Sequence, residues 1–78
     1  MRGLKPIAKL KPIHPGEILR EEFMAPLRLN PNKLALALHV PAPTVYDIVN
    51  EERGISLEMA LRLGRLFWTT PDFWPNLQ

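Results

Sequence analysis

Thr44, Tyr46, Asp47 and Asn50 fall within one seven-residue stretch whose remaining members are Val45, Ile48 and Val49. The two hydroxyls and the amide both donate and accept hydrogen bonds, so they suit base edges or phosphate oxygens. The Asp47 carboxylate only accepts, for example from a cytosine amino group, and phosphates repel it. Ala42, just upstream, offers a small apolar surface for a thymine methyl, and Pro43 lies beside it. This stretch has no arginine or lysine; Lys33 and Arg53 are the flanking cations available for phosphate contacts. The set fits recognition of a nucleic-acid surface better than bond-making chemistry. Ser56 is the only serine, and its place before an apolar run makes it a helix cap. His14 and Glu17 could be drawn as an acid–base or metal pair, but in His14-Pro15-Gly16-Glu17 they read as the cap and first-turn acid of a helix. His39 reads as a turn residue. No glycine-rich phosphate loop and no nucleophile–base pair is present, so the sequence describes a non-enzyme without cofactor. Absence of cysteine excludes disulfides and cysteine-ligated zinc, and two histidines are too few for a histidine-only metal site.

The polar residues need a scaffold, and residues 30–50, NPNKLALALHVPAPTVYDIVN, supply one. Leu34 and Leu38 lie four apart on a first short helix, and Val45, Ile48 and Val49 form the facing stripe on a second. Ala35 lets the two helices approach closely, and Val40 fills the corner between them. This is a helix-turn-helix pattern, whose second helix is the one commonly laid in the major groove of DNA.

Around it the chain reads as all-α, with five short helices. A first helix opens at His14-Pro15, buries Ile18, Leu19 and Phe23, turns Arg20, Glu21 and Glu22 to solvent, and stops at Pro26. Asn30 caps the second, with Pro31 at its first position, and the third runs from about Ala42 to Asn50. Ser56 caps the fourth, which buries Met59, Ala60, Leu63 and Phe67 and turns Arg62 and Arg65 outward. Thr70-Pro71-Asp72 starts a short fifth helix over about residues 71–77, cut short by Pro75. Residues 1–13 have no helical periodicity and read as a flexible basic arm, leaving 14–78 as one domain. Arg2, Lys5, Lys9 and Lys11 fall in the arm with no acid, whereas the rest of the chain holds six basic and eight acidic residues. A basic arm on a mildly acidic body suits contact with phosphate or an acidic partner, or serves only as a solubilising tail.

Seventy-eight residues bury only about 60% of the unfolded surface, so added stability is expected from self-association. The aromatic cluster Phe67, Trp68, Phe73 and Trp74 is dense for so small a core. Trp68, Phe73, Trp74 and Leu77 are therefore expected at a homodimer interface. No apolar run approaches a membrane span and none follows the first charges as in a secretory signal, so the expected compartment is the cytoplasm.

The strings HPGEILREEF, VYDIVNEERGIS and MALRLGRLF followed by TPDFWPNLQ resemble HigA-type antitoxins, also known as virulence-associated protein I, of the Xre-like helix-turn-helix group. The resemblance covers about residues 12–78. It implies a lambda-repressor-like domain of five helices, dimerisation through the C-terminal region and binding to a palindromic operator. It also implies repression of a toxin–antitoxin operon and neutralisation of a HigB-like mRNA interferase toxin. Family contacts to DNA fall here on Asn32, Ala42, Pro43, Thr44, Tyr46, Asp47 and Asn50. The chain differs from the family pattern where a phosphate-gripping glutamine gives way to Pro31 and a turn glycine to His39. Glu51 and Glu52 stand where glycine or a basic residue is common, and Pro75 stands inside the last helix. These differences leave two further readings: a toxin-neutralising interaction module with weak or lost DNA binding, and an orphan regulator without a toxin.

Overall fold

The computed structural model describes residues 13–70 and 72–77, which form helices, turns and loops with no strand among them. The basic arm up to Pro12, and Pro71 of the expected fifth-helix start, lie outside the described residues. Ile13, the last residue of the expected arm, is exposed.

Helix α1 covers residues 15–27. It begins as an α-turn (Pro15–Ile18), continues as a π-helical stretch (Leu19–Met24) and closes as a short α-segment (Ala25–Leu27). The helix therefore runs one residue past the expected stop at Pro26. A proline ring in a regular α-helix collides with the carbonyl four residues back, and the wider π turn immediately ahead relieves that collision. In that turn the Ala25 N–H donates to the Arg20 carbonyl, one residue further back than in an α-helix.

Helix α2 is Pro31–Leu38 and helix α3 is Ala42–Val49. They pack as the sequence pattern requires: Leu34, Ala35 and Leu38 of α2 and Val45, Ile48 and Val49 of α3 are all buried, with Val40 half-buried in the turn. Helix α4, Leu57–Phe67, closes the core with Met59, Ala60 and Leu63. The expected caps are in place: the Asn30 side chain accepts from the Lys33 N–H at 2.7 Å, and the Ser56 hydroxyl from the Met59 N–H at 3.1 Å.

The fifth helix is reduced to a turn at 72–74 and one 3-10 turn, Pro75–Leu77. Proline lacks the N–H that an α-turn would use there. The turn delivers Trp74 into the core, where it is fully buried. The sequence-based placement of Trp74 at a subunit interface is thus corrected. Its ring packs on Phe23 and edge-on to Phe73, at centroid distances of 5.1 and 4.9 Å, and its indole N–H donates to Thr69 Oγ1 at 3.0 Å. The aromatic cluster is satisfied within one chain because Phe23, 51 positions away in sequence, lies at its centre. Phe73 and Leu77 are half-buried against the core, and Trp68 alone of the expected interface set stays open, at 92% exposure.

Each of α1 to α4 is followed, within two residues of its end, by a non-glycine residue in the left-handed region: Arg28, His39, Glu51 and Trp68, with φ of 56°, 59°, 62° and 61°. After α2 the His39 N–H donates to Leu36 O and the Val40 N–H to Ala35 O, and after α3 the same two-bond closure joins Glu51 to Ile48 and Glu52 to Asp47. Such closures favour glycine, because an L-residue in the left-handed region costs about 1–2 kcal/mol. His39→Gly is accordingly expected to raise stability by about 1 kcal/mol, a Tm increase of roughly 4–8 °C for a domain this size. Thermal unfolding followed by circular dichroism checks this; an unchanged or lower Tm would show that the imidazole itself contributes a contact.

Candidate nucleic-acid interface

The buried stripe of α3 fixes which side faces out. With Val45, Ile48 and Val49 in the core, Pro43, Tyr46 and Asn50 are exposed, and Ala42, Thr44 and Asp47 are half-buried at the margins. Asn32 and Lys33 are exposed on the first turn of α2, and Arg53 is exposed in the loop after α3. Pro41 occupies the N-cap of α3 in extended conformation and provides no side-chain cap. The Thr44 N–H is satisfied by the Pro41 carbonyl at 3.0 Å.

The charges near this face are more balanced than the sequence suggests. Asp47 Oδ2 lies 3.1 Å from Arg53 Nη2, and Glu51 lies 3.2 Å from Arg20 Nη2. Two of the three acids that should repel a polyanion are thereby paired, and Glu52 remains exposed. Arg20 also donates through Nε to Glu21 at 3.1 Å and through Nη1 to the Val49 carbonyl. The Glu21 hydrogen bond, seconded by Glu51, raises the guanidinium above its ordinary pKa despite partial desolvation. Arg62 makes the equivalent contact on the other helix, donating to the Leu38 carbonyl at 2.8 Å while holding Glu58 at 2.9 Å.

The carbonyl-rich C-termini of α2 and α3 thus each receive a cation from a flanking helix, the sign that complements a helix dipole. These two arginines were expected to face solvent. Their acceptors lie 24 and 29 positions away in sequence, a separation that helical periodicity does not register. The side of α1 next to α3 also holds Gly16, whose N–H donates to His14 Nδ1 at 2.9 Å. His14 is therefore a helix cap, as its sequence context suggested. Among the described residues no group of three His, Cys, Asp or Glu is placed to hold a metal ion.

No family model matches the chain. It is similar to an antitoxin HigA of Pseudomonas aeruginosa solved with the higBA promoter, at 62% identity and a TM-score of 0.85, covering 87% of this chain and 74% of that one. The chain belongs to the HigA-type antitoxins. An antitoxin GraA solved in complex with its operator is 52% identical, with a TM-score of 0.82, and covers 96% of this chain and 74% of that one. Virulence-associated protein I of Dichelobacter nodosus is 50% identical over 85% of this chain and 61% of its own length. The chain spans 61–64% of the length of the first curated relatives it matches. HigA-type proteins are a non-enzymatic family, consistent with Ser56 and His14 serving as caps. Within this HigA-type fold, Asn32 and Lys33 on α2, the α3 surface from Ala42 to Asn50 and Arg53 gather on the helix-turn-helix unit. Trp68 lies apart from them, at the end of α4.

Proposed function

We propose that the chain is a DNA-binding transcriptional repressor of the antitoxin type, acting on the operator of its own toxin–antitoxin operon. The observation that carries the reading is the outward face of α3, where Tyr46 and Asn50 project from a helix-turn-helix unit whose nearby acids Asp47 and Glu51 are held in ion pairs. Solved relatives of the same fold carry promoter or operator DNA. Tyr46, Asn50 and Thr44 address base edges, Ala42 and Pro43 shape the apolar approach, and Asn32, Lys33 and Arg53 lie where the phosphate backbone passes. A palindromic operator calls for two copies with their α3 helices about 34 Å apart, one turn of the duplex. Trp68, with the partly exposed Phe73 and Leu77, is the surface we assign to that homodimer. Neutralisation of a HigB-like toxin belongs to the same proposal, as does action in the cytoplasm; among the described residues no helix is long and apolar enough to cross a membrane.

Tyr46→Ala and Asn50→Ala test the reading. Each is expected to weaken operator binding about tenfold or more, the loss of one good base contact worth about 1–3 kcal/mol, with an unchanged circular dichroism spectrum. Gel-shift titration on the upstream promoter measures it, and wild-type affinity in both variants would remove α3 as the reading element. Wild-type binding should also fall steeply with salt. A toxin-neutralising module that had lost DNA binding would show no promoter affinity while still co-purifying with the product of the adjacent gene.

A further inference from the structure

The α3 helix carries no arginine, yet the structure puts one against it. The closure at Glu51 (φ 62°), with the Glu52 N–H donating to the Asp47 carbonyl at 2.8 Å, folds the chain back so that Arg53 meets the Asp47 side chain. Asp47 lies one helical turn from Pro43 and from Asn50 on the α3 surface. We propose that Arg53 reads a guanine in the major groove and that Asp47 is the positioning residue that holds its guanidinium for the task. This rests on the DNA-binding reading and reassigns two of its residues, Arg53 from phosphate contact and Asp47 from cytosine acceptor.

Two observations and two physical arguments support the assignment. Both partners are partly exposed, 51% for the Arg53 side chain and 38% for Asp47, and exposed ion pairs contribute little to stability. Fold maintenance is therefore a poor explanation for the pair. The recorded bond engages one terminal nitrogen, Nη2, and a guanidinium has five N–H donors in a rigid fork, so a second edge remains to face guanine O6 and N7. An arginine already oriented by a carboxylate loses less freedom on binding than a free one. The same pairing removes the repulsion that an unpaired Asp47 would meet at the DNA surface.

The test uses duplexes selected by the wild-type chain from a randomised pool, together with single-base-pair substitutions of the selected consensus. Arg53→Ala is expected to lower consensus affinity about tenfold or more and to abolish the preference for one G·C pair in each half-site. Asp47→Ala should weaken the preference at that same pair, Asp47→Glu should restore part of it, and the double variant should match Arg53→Ala. Melting temperatures should stay at the wild-type value. A uniform loss for all duplexes in Arg53→Ala, with a salt slope reduced by about one, would make Arg53 a phosphate contact and overturn the proposal. Altered preference at two different pairs would overturn it too, since Asp47 would then read its own base. Failure of the wild-type chain to select any duplex would defeat the DNA-binding reading itself, and this inference with it.

Discussion

Gly16→Ala is expected to cost the domain about 3 kcal/mol or more, at the upper end of what overpacking a core usually costs. A methyl group built on Gly16 would stand 1.9 Å from the carbonyl oxygen of Ile48 and 2.9 Å from its carbonyl carbon. Both obstructing atoms belong to the backbone of α3, so no side-chain rotation makes room. The helices would have to separate by on the order of 1 Å, given that carbon–oxygen contacts settle near 3.3–3.6 Å. The sign is diagnostic, because glycine to alanine inside a helix ordinarily gains nearly 1 kcal/mol. Against a total stability of about 5–15 kcal/mol, and less for so small a domain, the loss is large. Urea unfolding would show a much lower midpoint, and operator binding should fall with it, since α1 braces the C-terminal half of α3. A wild-type midpoint would mean that the α1–α3 approach is looser than the structure describes. Gly64→Ala makes a milder comparison: its methyl would lie 2.8 Å from the Thr69 carbonyl oxygen.

Gly16 illustrates which layer of the structure the sequence displays. Local signals were readable: Asn30 and Ser56 are caps, Pro15 and Pro31 stand at first helical positions, and the α2–α3 packing set is the one its spacing requires. Each depends on residues within a turn or two of one another, where period and capping chemistry are explicit. The need for glycine at position 16 comes from the backbone of a helix 32 positions later. The same holds for Arg20 and Arg62, whose acceptors are carbonyls at the far ends of other helices. A cation on an amphipathic helix looks solvent-facing until a partner terminus arrives beside it.

The candidate site was legible to a similar depth. Which residues of α3 point outward followed from which point inward, so Pro43, Tyr46 and Asn50 could be listed from periodicity alone. The charge state of that surface could not. In sequence Asp47, Glu51 and Glu52 look like a penalty against DNA, and Arg53 like a separate phosphate contact. The left-handed residue at Glu51 turns the chain back, and pairing of Asp47 with Arg53 and of Glu51 with Arg20 follows from that turn. A single backbone conformation, at a residue type that seldom adopts it, thus decides the electrostatics of the face.

The two tryptophans separate core from surface most sharply. Trp74→Ala is expected to destabilise the fold by about 3–5 kcal/mol, the usual cost of emptying a large buried aromatic site. The side chain has no exposed surface, lies against Phe23 and Phe73, and its indole N–H bonds Thr69. Trp74→Phe keeps an aromatic ring but loses that bond, so a smaller cost of about 1–2 kcal/mol is expected. Trp68, the residue immediately after α4 and almost wholly exposed, should give a change within about 0.5 kcal/mol when replaced by alanine in dilute, monomeric protein. Its replacement should instead shift the monomer–dimer balance measured by sedimentation. If Trp74→Ala left the urea midpoint unchanged and dissociated the dimer, the indole would belong at an interface, and the packing of the Phe23 cluster would have to be redrawn.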